Sequence, residues 1–134
     1  MSRIGILVFA IAIAGCGKKS EAPSGGSASD TGSAAPSGPS PTEEARQIFK
    51  TVCATCHGED GTGNGPGAAA LNPKPRNYTD KTWQASVTDD QIKKTILMGG
   101  AAVGKSPAMP AQPQLREKPE VVDALVRIIR TFGK

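Results

Sequence analysis

Cys53-Ala54-Thr55-Cys56-His57 is the stretch that decides how the rest of the chain is read. It gathers two thiols and an imidazole in a sequence of 134 residues that holds three cysteines and one histidine in all. The third cysteine, Cys16, closes an apolar run near the start of the chain and answers to a different chemistry. A structural zinc site takes four ligands, and Cys53, Cys56 and His57 fall short of that number. A thioredoxin-like dithiol sits within a βαβ pattern, which the flanking sequence lacks. A buried histidine that merely happens to follow two cysteines would leave the spacing without a reason. Two cysteines this close serve a cofactor better than a disulfide framework.

The spacing C-x-x-C-H is the c-type haem attachment signature. The two thiols add across the haem vinyl groups, and the neighbouring imidazole binds iron from the proximal side. On a helix end, Cys53, Cys56 and His57 are close enough for the thioethers to hold the porphyrin edge while a ring nitrogen meets the metal. One haem c per chain is expected.

The sequence before the motif predicts a helix. Thr42 can cap it, Glu43 and Glu44 suit its first turn, and Ala45, Ile48, Phe49, Val52 and Cys53 recur at helical spacing, a stripe expected to face the haem side. A second helix opens at the capping box Thr88-Asp89-Asp90-Gln91, shows Ile92, Ile96 and Leu97 on its apolar side, and stops at Gly99-Gly100. A last helix starts near Pro119, a residue suited to the first helical position, with Val121, Val122, Leu125, Ile128, Ile129 and Phe132 on its buried face. No alternating strand pattern appears. The fold class is therefore all-α, about three main helices with long loops over residues 42–134.

The N-terminal part is organised differently. Met1-Ser2-Arg3 is a short positive start, and Ile4 to Gly15 is an apolar run too short to span a bilayer comfortably, which predicts a signal peptide over 1–15. Residues 16–41 follow as a linker of Ser, Gly, Ala and Pro with a few charges, unable to bury enough surface to offset its ordering entropy. The net charge is +4. From residue 43 onward, 13 Lys and Arg stand against 10 Asp and Glu, spread along the domain. That dispersion describes a solvated surface and excludes a nucleic-acid footprint.

From Cys53 onward the sequence resembles the small bacterial class I cytochromes c. In that family a Gly-rich loop, here Gly58-Glu59-Asp60-Gly61-Thr62-Gly63-Asn64-Gly65-Pro66-Gly67, wraps the haem edge. The resemblance implies that a proline carbonyl accepts the imidazole proton, at Pro73 with Pro75 competing, that Leu71 packs on the ring, and that Arg76 pairs with a propionate. It also implies that the last helix crosses the first, bringing Phe132 or its neighbours to Phe49. Ser106-Pro107-Ala108-Met109-Pro110 resembles the Met-Pro loop that delivers the sixth iron ligand. With no second histidine, the candidates are Met109, Met98, a lysine or water. Met109, on a proline-braced loop, is read as the ligand, and Met98, at a helix end, as core filler. Tyr78 and Trp83 are read as packing residues that could touch haem.

Two further matches bear on location and cofactor. Ile13-Ala14-Gly15-Cys16 resembles the lipobox of bacterial lipoproteins, which implies cleavage before Cys16, its acylation, and a lipid-anchored domain outside the cytoplasm, with the inner or outer membrane left open. Residues 99–106 fit the letters of a phosphate-binding P-loop, but that motif must follow a strand and open a helix, so no nucleotide is expected. Two protein ligands on iron leave no open position, so the role implied is electron carriage between a redox donor and acceptor. A haem enzyme or gas sensor with a displaceable sixth ligand, or a docking subunit of a larger oxidoreductase, are the alternatives.

Overall fold

Ser40 caps the first described helix: its side chain accepts the amide of Glu43 at 3.2 Å, and Pro41, which has no N–H to satisfy, takes the first helical position. The expectation that Thr42 caps the helix is thereby corrected by two residues. The computed structural model describes residues 38–134. The predicted signal peptide 1–15, the acylated Cys16 and nearly all of the linker 16–41 lie outside the described residues.

Five α-helices are described: α1 (Pro41–Ile48), α2 (Ala54–His57), α3 (Lys81–Ser86), α4 (Asp89–Met98) and α5 (Pro119–Thr131). Short 3₁₀ turns lie at Pro66–Ala68, Ala101–Val103 and Pro113–Glu117, and no strand occurs among the described residues. α1 and α2 form one continuous rod, joined by a π-helical segment at Phe49–Cys53. That segment resets the phase of the apolar stripe. Ala45 and Phe49 are buried four residues apart, but the next fully buried residue is Ala54, five further on, the mark of an i→i+5 turn. Val52, expected on the buried stripe, is instead 44% exposed.

The capping box at the start of α4 is complete, with Thr88 Oγ1 accepting from the Gln91 amide and the Gln91 side chain accepting from the Thr88 amide. α4 ends at Gly99, where φ is +78°. Ile92 and Ile96 are buried one turn apart, which turns Met98 outward. Met98 is 43% exposed, so its reading as core filler is corrected. α3 was not legible in the sequence because it has only six residues; Asp80 caps it by accepting from the Trp83 amide.

α1 packs across α5, and the predicted aromatic contact is present, with the Phe49 and Phe132 ring centroids 5.5 Å apart. Around it lies a core of Ala45, Leu115, Val121, Leu125 and Ile129, all at most 4% exposed. Burying each aliphatic side chain here contributes about 1.5–3 kcal/mol before ordering entropy is counted. Arg130 fastens the other side of α5. Its guanidinium donates to the carbonyls of Gln84 and Val87 and to Asp89 Oδ1, all within 2.9 Å. Gln84 in turn donates to the carbonyls of Tyr78 and Ile129. A loop residue, α3, the start of α4 and α5 are thus tied through two side chains.

Candidate haem site

His57 is the last residue of α2 and is buried at 7% exposure. Cys53 and Cys56 precede it on the same rod, both free and half-buried. A helix end leaves carbonyls without intrahelical partners, and the Gly-rich loop satisfies them. Gly58 N–H donates to Ala54 O, Gly65 N–H to Cys56 O and Gly63 N–H to His57 O. Close approach is what requires glycine at two of these positions. A Cβ on Gly63 would lie 2.5 Å from Pro75 O, and one on Gly65 would collide with the carbonyls of Ala54 and Thr55.

The same loop course selects the partner of the imidazole. His57 Nδ1 lies 3.0 Å from the carbonyl of Arg76. The expected acceptor, Pro73, and its competitor Pro75 are both displaced by this observation, because the chain between them and the imidazole is pinned by Gly63 against Pro75 and by the amide of Tyr78 on Gly61 O. A ring nitrogen facing a carbonyl must carry the proton, which leaves the lone pair on Nε2 for a metal. Burial pulls the imidazole pKa below its ordinary value, with the Arg76 carbonyl opposing, and this favours the neutral ring that a metal needs.

Tyr78 lies face to face with His57, ring centroids 4.4 Å apart and planes 10° from parallel. It is itself buried, and burial first, then the Cys53 sulfur, pushes its phenol well above the ordinary range, so it is a neutral ring. Leu71, expected to pack on the cofactor, is half-buried in the loop after the Pro66–Ala68 turn. The Arg76 guanidinium stands 3.8 Å from Asp80 and 5.8 Å from the Trp83 ring centroid, so a propionate would share it with both.

Met109 lies on a loop folded back on the end of α4. Gly100 N–H donates to Met109 O at 3.0 Å, Met109 N–H to Ser106 O at 3.3 Å, and Gln112 N–H to Ile96 O at 3.0 Å. The P-loop-like letters at 99–106 therefore follow a helix and form a 3₁₀ turn, in which Gly99 and Gly100 serve close backbone packing and Gly104 takes the left-handed cap at φ +69°.

The donor set fits haem c. Two thiols and an imidazole with a free Nε2 share one helix end. Cys53 is pushed up to about 11, chiefly by burial, the reverse of the lowered pKa that a dithiol redox nucleophile needs.

Residues 42–132 match the cytochrome c family. The chain is also 36% identical over 101 residues to the Cbb3-type cytochrome c oxidase subunit FixP of Azorhizobium caulinodans. That alignment takes in 75% of this chain and 30% of the relative, so the chain spans under a third of its length. No solved structure matches the chain.

Proposed function

Because the chain belongs to the cytochrome c family and its all-α domain carries covalent haem c, we propose that this electron-transfer protein is a single-haem carrier whose iron is held by His57 and Met109. The observation that carries the reading is the His57 imidazole, held with Nδ1–H on the Arg76 carbonyl and Nε2 free, beside two thiols on the same helix end. Bound there, haem supplies a one-electron ferric/ferrous couple.

The chain's own residues set how that couple behaves. Cys53 and Cys56 fix the cofactor edge through two thioethers. Arg76 O orients the imidazole and raises its basicity. The Met109 thioether is a soft ligand that favours ferrous iron and raises the potential. Leu71 packs against the macrocycle, and the Arg76 side chain pairs with a propionate. If His57 and Met109 both hold the iron, the reduced protein should keep its visible spectrum under carbon monoxide. A spectrum that changes on adding the gas would move the protein to the enzyme or sensor class. Haem surviving acidic acetone extraction in wild type but lost from a Cys53/Cys56 double alanine variant tests attachment; retention in the variant would refute it.

We further propose that residues 1–15 are a lipoprotein signal peptide and that acylated Cys16 holds the domain at the membrane on the extracytoplasmic side. The linker between Cys16 and α1 would keep the domain near membrane-bound redox partners. Among the described residues no helix is long and apolar enough to cross a membrane. Cys16→Ser should release the protein with an unchanged haem spectrum; persistence in the membrane fraction after a high-salt wash would sink the anchor. The similarity to FixP favours a second reading, a module docked on a larger oxidase, which co-purification of the native protein would distinguish.

A further inference from the structure

We infer that Tyr78 is a positioning residue that sets the plane of the His57 imidazole, and through it the electronic axis of the ferric iron; this rests on His57 being the proximal ligand. A single hydrogen bond from Nδ1 to Arg76 O fixes where one corner of the ring points but leaves rotation about that bond. The second constraint is a flat, buried partner. Tyr78 supplies it, parallel within 10° at 4.4 Å, in the offset or stacked arrangement that aromatic pairs prefer. Arg76 and Tyr78 belong to one short segment, so the same piece of backbone supplies both the acceptor and the stacking face.

That segment is held from both sides. The amide of Tyr78 donates to Gly61 O at 2.7 Å, which ties it to the loop capping α2. Its carbonyl accepts from Gln84 Nε2 at 2.7 Å, and the same amide nitrogen donates to Ile129 O on α5 at 2.9 Å. Trp83 lies against the Tyr78 ring at 5.6 Å between centroids, tilted by 30°. The ring plane of His57 is therefore referenced to α5, an element far from the attachment motif in sequence. A ring that only filled core volume could be replaced by any side chain of similar size; a ring that sets a plane can be replaced only by another flat one.

The test uses the haem-loaded protein and its Tyr78→Phe, Tyr78→Leu and Gln84→Leu variants. Ferric electron paramagnetic resonance and the spread of the haem methyl proton shifts both report the orientation of the axial imidazole. Tyr78→Phe should reproduce the wild-type pattern. Tyr78→Leu should displace the largest g value and reorder or compress the methyl shifts, and Gln84→Leu should move them the same way by less. A wild-type pattern in Tyr78→Leu overturns the inference, as does Tyr78→Phe moving as far as Tyr78→Leu. Should Tyr78→Leu fail to accumulate with haem, an unmoved pattern in Gln84→Leu overturns it. Failure of the ligand assignment looks different: the wild-type protein itself would lack a low-spin ferric signal with histidine ligation.

Discussion

The amide of Gly100 donates to the carbonyl of Met109 across 3.0 Å, pinning the loop that carries the thioether to the end of α4. There is no room for a side chain at this junction. A Cβ on Gly100 would collide with Ser106 O and come within 3.3 Å of Met109 Cβ. Gly100→Ala should therefore push the loop outward and weaken the weak long-wavelength absorption that methionine-ligated ferric haem shows in this family. Since φ at Gly100 is −64°, an ordinary helical value, backbone strain is not the cause. An alanine variant with the band at full strength would show that the loop gives way without moving Met109.

Met109→Ala should abolish that band, lower the reduction potential and admit carbon monoxide to the reduced protein. Met98→Leu should leave all three unchanged. Met98 is exposed at the end of α4, so exposure alone does not disqualify it as a ligand, and this pair of variants decides between the two methionines. The reverse outcome would transfer the sixth position to Met98.

Arg130→Met should lower stability by about 2 kcal/mol, because it strips charge-assisted hydrogen bonds from the carbonyls of Gln84 and Val87 and from Asp89. The side chain is 28% exposed, so water can replace part of what is lost, and the figure is set below the range for fully buried networks. For a domain of this size the melting temperature should fall on the order of 10 °C. Thermal unfolding followed by far-UV circular dichroism measures it; a shift within error of wild type would mean the network is only a surface arrangement. By contrast, removing the exposed Lys93–Asp123 pair, 2.7 Å apart, should leave the unfolding curve within error of wild type, because water solvates both charges once the pair is gone.

Phe49 and Phe132 should show a coupling of about 1 kcal/mol in a double-mutant cycle to leucine, as expected for aromatic pairs beyond simple burial. Their centroids are 5.5 Å apart and the rings tilt by 32°. Gly61→Ala offers an independent probe, since its Cβ would stand 2.7 Å from the Phe132 ring at a φ of +72°. Denaturant unfolding reads both, and additive single-mutant effects would show that the two rings act separately.

The features legible before folding are carried by residues near one another along the chain. The C-x-x-C-H spacing, the Thr88 to Gln91 capping box, the proline opening α5 and the glycine ending α4 each act within a few residues, and each is where it was read. The crossing of Phe49 and Phe132 was legible through the family resemblance. The features that no local pattern carries depend on where loops travel. The imidazole acceptor is Arg76 O, 19 residues from His57, because glycines with no room for a Cβ draw the intervening loop tight. Tyr78 meets the imidazole because Gln84 and Gly61 hold its backbone from two distant elements. Val52 turns outward because one π-turn advances the helix by a residue, an event that a 3.6-residue periodicity cannot register. Local signals name the groups that do the chemistry; long-range packing fixes which backbone atom and which ring face those groups meet.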